Sequence, residues 1–155
     1  RKPEQLDALD GLVLPGGEST AIARLMRLYG LDDAIRAFEG PILGTCAGMI
    51  LLDRHHLGLA DLAVERNAYG RQLASFEADL ELGGDPDPLR GVFIRAPRVR
   101  ELGPDVEVLA EHAGEPVLVL DGRILLAAFH PELTGDTRVH GRFLDLVTEE
   151  SLVRA

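Results

Sequence analysis

Residues 41–52 read Pro41-Ile42-Leu43-Gly44-Thr45-Cys46-Ala47-Gly48-Met49-Ile50-Leu51-Leu52. The stretch consists of a short apolar run, a turn that contains two glycines, and a second apolar run, which is typical of a buried strand, a sharp turn and a helix. In such a strained turn a Cβ at Gly44 or Gly48 would collide with neighbouring backbone, so glycine is needed on both sides of Cys46. The pattern therefore predicts a G-x-nucleophile-x-G elbow with cysteine as the nucleophile.

A second strand, turn and helix precede this elbow. The apolar run at residues 9–14 stops at Pro15-Gly16-Gly17, which indicates a buried strand of a parallel sheet followed by a tight turn. Ser19 or Thr20 is the expected cap of the next helix, which ends at Gly30. The apolar stripe of that helix consists of Ile22, Leu25, Met26 and Tyr29.

The second half of the chain is dominated by strands. From about Leu73 apolar and charged residues alternate, which predicts a half-buried strand. Further strands are expected at residues 92–94, 106–110, 117–120 and 124–129, with a hairpin signal at Asp121-Gly122 between the last two. A final helix is expected from Asp136 to about Glu150. These elements predict a three-layer α/β sandwich with a mixed, mostly parallel central sheet.

Composition limits the size and the setting of the protein. The 155 residues include 46% hydrophobic and 27% charged residues, which indicates one folded domain over residues 1–155. No apolar run is long enough for a membrane helix, and a single cysteine favours a reducing, cytoplasmic setting. The net charge of −10 argues against nucleic acid and anionic membranes as partners, because both bind basic surfaces.

One of the five histidines stands out as a base for the cysteine. His130 ends an apolar strand and opens His130-Pro131-Glu132, where an extended backbone would place the side chains of His130 and Glu132 on the same side. Because strand ends of an open α/β sheet meet at one edge, Cys46, His130 and Glu132 would form a catalytic triad. The structural alternatives are an inert buried cysteine and a strand end with a simple cap.

Two further features fit a reaction that develops a negative oxygen. The glycine turn at residues 15–19 opens a helix, so its backbone amides and that of Ala47 would form an oxyanion hole. A phosphate-binding turn is disfavoured, because the chain has neither G-x-G-x-x-G nor a P-loop lysine. Arg66 and Arg95 lie among apolar residues, where each is either a carboxylate-binding group or an ordinary exposed arginine.

Taken together, six strings resemble the glutaminase subunits of pyridoxal 5′-phosphate synthase, a family of class I (triad) glutamine amidotransferases. The resemblance extends from Arg1 to the last helix. The elbow and His-x-Glu are shared with the whole superfamily, whereas the Glu-Arg-Asn and Phe-Ile-Arg strings are particular to this family. The strings are residues 15–20, residues 44–48, Val64-Glu65-Arg66-Asn67-Ala68-Tyr69-Gly70-Arg71-Gln72, residues 75–77, Phe93-Ile94-Arg95-Ala96-Pro97 and residues 129–134.

The resemblance implies a flavodoxin-like glutamine amidotransferase fold and hydrolysis of L-glutamine to glutamate and ammonia. Cys46 would attack the side-chain amide, His130 would transfer protons and Glu132 would orient His130. The amides of Gly17 and Ala47 would form the oxyanion hole. The residues implied to bind glutamine are Gly17, Glu18, Ser19, Arg66, Ile94 and Arg95.

The resemblance also implies a partner and a departure from the family pattern. Ammonia would pass to a separate synthase subunit with a TIM-barrel fold, and no metal or cofactor is expected in this chain. Family members begin with about 30 further residues, the size of an ordinary βα unit, so a first strand is expected to be missing here. The alternatives are a related α/β cysteine hydrolase or deglycase with another substrate, and a non-catalytic regulatory module.

Overall fold

A computed structural model of the chain describes residues 2–66 and 75–154. The strands are β1 (Leu12–Leu14), β2 (Ile42–Thr45), β3 (Leu62–Glu65), β4 (Ser75–Leu80), β5 (Leu89–Ile94), β6 (Arg98–Leu102), β7 (Glu107–His112), β8 (Glu115–Asp121) and β9 (Ile124–Ala127). The α-helices are α1 (Ser19–Leu28), α2 (Leu31–Arg36), α3 (Ala47–Leu52) and α4 (Arg138–Arg154), and 3₁₀ helices cover Pro3–Ala8 and Pro131–Leu133.

The main sheet has five strands in the order β1-β2-β9-β8-β7. β1, β2 and β9 run parallel, whereas β9, β8 and β7 pair antiparallel. The predicted mixed sheet is therefore confirmed, although two of the four pairings are antiparallel and parallel pairing does not predominate. The reason is the predicted hairpin, because a two-residue connection between β8 and β9 forces antiparallel pairing at that point.

Both faces of the parallel half are covered. Every residue of β2 and of β9 is buried, and successive side chains of a strand point to opposite faces. The strands therefore lie between two layers, as a three-layer sandwich requires. No helix among residues 2–66 and 75–154 is long and apolar enough to cross a membrane.

The first helix differs from its sequence prediction in two ways. Its N-cap is Glu18 rather than Ser19 or Thr20, because the Glu18 carboxylate accepts hydrogen bonds from the backbone amides of Thr20 and Ala21 at 3.0 and 2.7 Å. Met26 in the predicted stripe is buried, but Leu25 and Tyr29 are 52% and 59% exposed. Spacing marks the apolar side of a helix, whereas the packing of α2 and α3 against α1 decides how much of that side is covered.

The strand predictions succeed where alternation or a hairpin marks the strand. β4 alternates in burial as expected, and its predicted start near Leu73 lies outside the described residues. β3 and β6 were not predicted, and they pair with each other in a separate two-stranded sheet. The last helix begins at Arg138 rather than Asp136, with the Asp136 carboxylate accepting a hydrogen bond from the amide of Arg138 at 3.0 Å.

Glycine is required in the elbow by the close approach of α3 to β1. A Cβ on Gly48 would overlap the carbonyl oxygen of Leu14, which belongs to the strand beside the elbow. A Cβ on Gly44 would lie 2.6 Å from the Leu52 side chain and 3.0 Å from the Gly48 carbonyl carbon. The predicted need for both glycines is confirmed, and at Gly48 the obstacle is backbone that has no rotamer to change.

Gly48→Ala is expected to destabilise the fold by about 2–3 kcal/mol or to prevent folding, because the new methyl group has to push α3 away from β1. Gly135→Ala is the matched control, since a Cβ on Gly135 meets nothing within 4 Å. Thermal and urea unfolding measure the difference. Equal stability of the two variants would contradict the close packing of α3 on β1.

Candidate active site

Cys46 lies between β2 and α3, in the conformation that the elbow requires. Its φ of 48° and ψ of −103° are unusual for a residue with a Cβ, and its amide donates a 2.8 Å hydrogen bond to the carbonyl of Ala127 on β9. The side chain is only 6% exposed, and Sγ lies 3.7 Å from the carbonyl oxygen of Ile94. The strained backbone thus holds the thiol at one defined position in the edge of the sheet.

His130 reaches the same edge because β9 runs parallel to β2. Its amide donates a 2.8 Å hydrogen bond to the carbonyl of Val92, and its ring Nδ1 lies 2.7 Å from Oε1 of Glu132. The two side chains meet through the 3₁₀ turn that begins at Pro131, and not along an extended strand as the sequence suggested. The imidazole is 13% exposed and the Glu132 side chain 44% exposed, so the carboxylate stays solvated while the ring is largely enclosed.

The charges around His130 favour its protonated form. Together its surroundings raise the pKa of His130 to about 9: a hydrogen bond with the Cys46 side chain is the largest cause, burial opposes it, and the hydrogen bond with Glu132 adds to it. The structure therefore brings Cys46, His130 and Glu132 into one chain of contacts, with histidine in the middle. An imidazolium beside a thiol supports its thiolate form, the reactive form of cysteine.

A cavity of about 530 Å³ opens in front of this chain of contacts. The residues that line it include both Cys46 and His130 and all six residues implied to bind glutamine. Among residues 2–66 and 75–154 the lining consists of Gly17, Glu18, Ser19, Cys46, Ile50, Arg66, Ser75, Ile94, Arg95 and His130. A larger open groove of about 870 Å³ between β4 and β7 is lined by acidic and small residues and lies apart from Cys46.

Arg66 is held at the wall of the cavity by the first turn of α1. Its guanidinium donates hydrogen bonds to Oγ1 of Thr20 at 2.9 Å and to Oε1 of Glu18 at 3.2 Å. The backbone amides of Thr20 and Ala21 are the main cause that lowers the pKa of Glu18, so this carboxylate is ionised at neutral pH. The structure thus gives Glu18 a local role in capping the helix and fixing Arg66, which the sequence alone did not indicate.

The two predicted oxyanion donors are Gly17 and Ala47. Gly17 lines the cavity, and Ala47 follows Cys46 as the first residue of α3, where the amide of a helix has no intrahelical partner. Sequence reasoning gave no individual site role to Thr20, Ser75 or Gly16, although all three lie in the family strings and Gly16 also belongs to the double-glycine turn. The Asn67–Gln72 part of the family string lies outside the described residues.

The described part of the chain has no cluster of side chains that could hold a metal ion. Among residues 2–66 and 75–154 no group of three His, Cys, Asp or Glu side chains is placed to hold a metal ion. The arrangement at the sheet edge has instead the parts of covalent catalysis: a buried thiol, a histidine beside it, a carboxylate behind the histidine and a cavity in front. Fold and site together define an α/β domain with a cysteine in the sharp turn between a strand and a helix.

Comparison with known proteins shows which family within this class the chain resembles. The model of the SNO glutamine amidotransferase family matches residues 1–149. The chain is 50% identical to pyridoxal 5′-phosphate synthase subunit PdxT of Shouchella clausii (strain KSM-K16), and the alignment covers 100% of this chain and 85% of that protein. It is 51% identical to the protein of the same name from Bacillus velezensis, with 94% and 80% of the two chains covered.

Solved structures agree with the sequence comparisons. A crystal structure of a glutamine amidotransferase superposes with a TM-score of 0.88 at 48% identity and covers 96% of this chain and 84% of that chain. The chain therefore belongs to the SNO glutamine amidotransferase family. The predicted fold class and the family resemblance are confirmed.

The raised pKa of His130 implies that its contribution to the stability of the fold depends on pH. Because folding favours protonated His130, its contribution to stability is fully present below the ordinary value of 6.5 and is lost as pH rises through about 9. The decrease in melting temperature that His130→Gln causes relative to the wild type should therefore become smaller between pH 6.5 and 9. Exposed His55 supplies the control variant His55→Gln, and a His130→Gln effect that grows with pH would contradict the assignment.

Proposed function

We propose that this chain is a glutaminase that hydrolyses L-glutamine to L-glutamate and ammonia and delivers the ammonia to a pyridoxal 5′-phosphate synthase subunit. The family supports the reaction class, and the name that the curated relatives share supports the pathway. The observation that carries the proposal is the contact of Cys46 with His130 and of His130 with Glu132 at the wall of one cavity.

Hydrolysis would proceed by covalent catalysis in two halves. The Cys46 thiolate attacks the side-chain amide carbon of glutamine, and the amide oxygen gains negative charge that the amides of Gly17 and Ala47 stabilise. Protonated His130 gives its proton to the amide nitrogen, the C–N bond breaks and ammonia leaves. His130 then takes a proton from water, whose oxygen attacks the thioester, and glutamate leaves as Cys46 is regenerated.

Glu132 would act through His130. Its Oε1 accepts from Nδ1 at 2.7 Å, which leaves the opposite ring nitrogen, Nε2, for the proton that passes between Cys46 and the substrate. Through this hydrogen bond Glu132 would stabilise the imidazolium, and its greater exposure leaves the carboxylate solvated. This arrangement supports a triad in which each member has a distinct task.

Recognition of glutamine would rely on the cations and backbone of the cavity wall. Arg66 and Arg95 are suited to the α-carboxylate of the substrate, whereas Gly17, Ser19 and Ile94 would complete the surface around its backbone. The Glu18 side chain already accepts from two backbone amides and from Arg66, so it would contribute by holding Arg66 in place. Arg66 would thus be oriented before substrate arrives, which reduces the entropic cost of binding.

The partner would be a separate synthase subunit with a TIM-barrel fold that consumes ammonia in a dry interface. Ammonia released into water would be protonated and lose its nucleophilicity, which favours direct transfer between the subunits. A cytoplasmic setting is supported by the nucleophile itself, since the one cysteine of the chain has to stay reduced to react. Residues 1–155 would act as one glutaminase domain.

Cys46→Ala is expected to lower glutamate release at least about 10⁴-fold, because the chain has no second cysteine to form the thioester. The assay mixes glutamine, this chain and the synthase subunit, and it measures glutamate and ammonia. Association with the synthase, followed by light scattering, should stay intact, since Cys46 is 6% exposed. Residual release within tenfold of the wild type would disprove the mechanism.

Arg66→Ala is expected to raise the glutamine concentration that protects Cys46 from iodoacetamide about 10- to 100-fold, the loss of one charged hydrogen-bonding group. The alkylation rate without glutamine should stay unchanged, because Arg66 touches the substrate and not the thiol. Arg90→Ala is the matched control, since Arg90 pairs with Glu77 and Asp79 away from the cavity. If glutamine gives the wild type no protection, another substrate is indicated.

A further inference from the structure

Gly16 lies directly against the ring of His130. A Cβ built on Gly16 would overlap Cε1 of the imidazole, would lie 3.0 Å from Nδ1, and would stand 3.5 Å from Cβ of Cys46. Gly16 has no role in the mechanism above, which uses only the amide of its neighbour Gly17. It is nevertheless in contact range of both reacting side chains at once.

The imidazole has little freedom to move away from this turn. Its own backbone amide is bonded to the carbonyl of Val92, and the following Pro131 fixes the direction of the chain. Nδ1 is bonded to Glu132 at 2.7 Å, so a rotation of the ring that relieves a clash at Cε1 breaks this hydrogen bond or the contact with Cys46. Because Gly16 has only a hydrogen atom where other residues carry a side chain, the turn after β1 can pack against the edge of the His130 ring.

We propose that Gly16 is a positioning residue for the reaction. Because it has no side chain, its Cα packs directly against the His130 ring and holds the ring against Cys46 and in line with Glu132. The turn after β1 thus contributes to the site in two separate ways, through the amide of Gly17 and through the missing side chain of Gly16. The part that concerns glutamine turnover rests on the proposed function, whereas the contact between Gly16 and His130 does not.

Gly16→Ala should displace the ring by a fraction of an ångström to about 1 Å and lower kcat for glutamine about 100-fold, with KM changed less than about threefold. The rate of Cys46 alkylation by iodoacetamide should fall at least about tenfold at pH 7, and its acid limb should move to higher pH, because the displaced imidazolium supports the thiolate less. Gly141→Ala is the matched control, since a Cβ there meets nothing within 4 Å.

A double variant separates positioning from a general effect on folding. In a His130→Ala background the ring is gone, so adding Gly16→Ala should lower neither the alkylation rate nor the melting temperature further. If Gly16→Ala alone does not fold, the proposal requires that the Gly16→Ala/His130→Ala double variant folds. The proposal would be overturned if Gly16→Ala lowered the alkylation rate and the melting temperature equally with and without the His130 ring. It would also be overturned if the double variant failed to fold.

The alkylation and melting measurements need no glutamine. If Gly16→Ala shows the expected coupling to His130 while the wild type with its synthase partner releases no glutamate, the positioning role stands and the proposed substrate falls. If glutamate release is normal in the wild type and Gly16→Ala matches Gly141→Ala in every measurement, the glutaminase stands and the positioning role falls. The two proposals are therefore tested independently.

Discussion

The close approach of α3 to β1 is the constraint on which the rest of the site depends. The Gly48 backbone lies so near the Leu14 carbonyl that no side chain fits between them. Cys46 is left as the single residue between strand and helix, with a positive φ. Because β1, β2 and β9 are parallel neighbours, the turn after β1, the elbow and His130 all emerge at one edge of the sheet.

Burial decreases along the chain of contacts from Cys46 through His130 to Glu132, and this gradient suits the chemistry proposed for them. Cys46 is almost fully enclosed, the His130 ring is slightly exposed, and Glu132 is exposed on nearly half of its side chain. A buried carboxylate would tend to take up a proton, whereas a solvated one stays charged and favours the imidazolium. The enclosed thiol and histidine meet the substrate in a setting where their charges act strongly.

Hydrogen bonds within the protein hold Arg66 at the cavity wall. Glu18 caps α1 with both carboxylate oxygens and simultaneously holds Arg66, and Thr20 accepts a second hydrogen bond from the same guanidinium. The start of α1 and Arg66, one of the two arginines that line the cavity, are thus joined by hydrogen bonds. A change in the first turn of α1 would reach the cavity wall through Arg66 without touching Cys46 or His130.

Features that depend on residues a few positions apart could be predicted from the sequence, whereas contacts between residues far apart in the chain could not. The elbow glycines, the alternating burial of β4 and the hairpin of β8 and β9 follow from short-range sterics and spacing. The N-cap of α1 was assigned to Ser19 or Thr20 on residue preference, but Glu18 takes it because its longer side chain reaches two amides. β3 and β6 were not predicted because the apolar run of β3 has only three residues, charged residues interrupt β6, and each strand depends on the other for pairing.

By itself the sequence determined the fold class, the elbow at Cys46 and the candidacy of His130 and Glu132, because glycine, proline and apolar spacing restrict the local backbone directly. Only the tertiary structure decided that Gly16 backs the histidine ring and that Glu18 and Thr20 hold Arg66. These contacts join residues up to 114 positions apart, from Gly16 to His130, and depend on parallel strands ending at one edge. Long-range proximity of this kind is set by packing and leaves no local pattern in the chain.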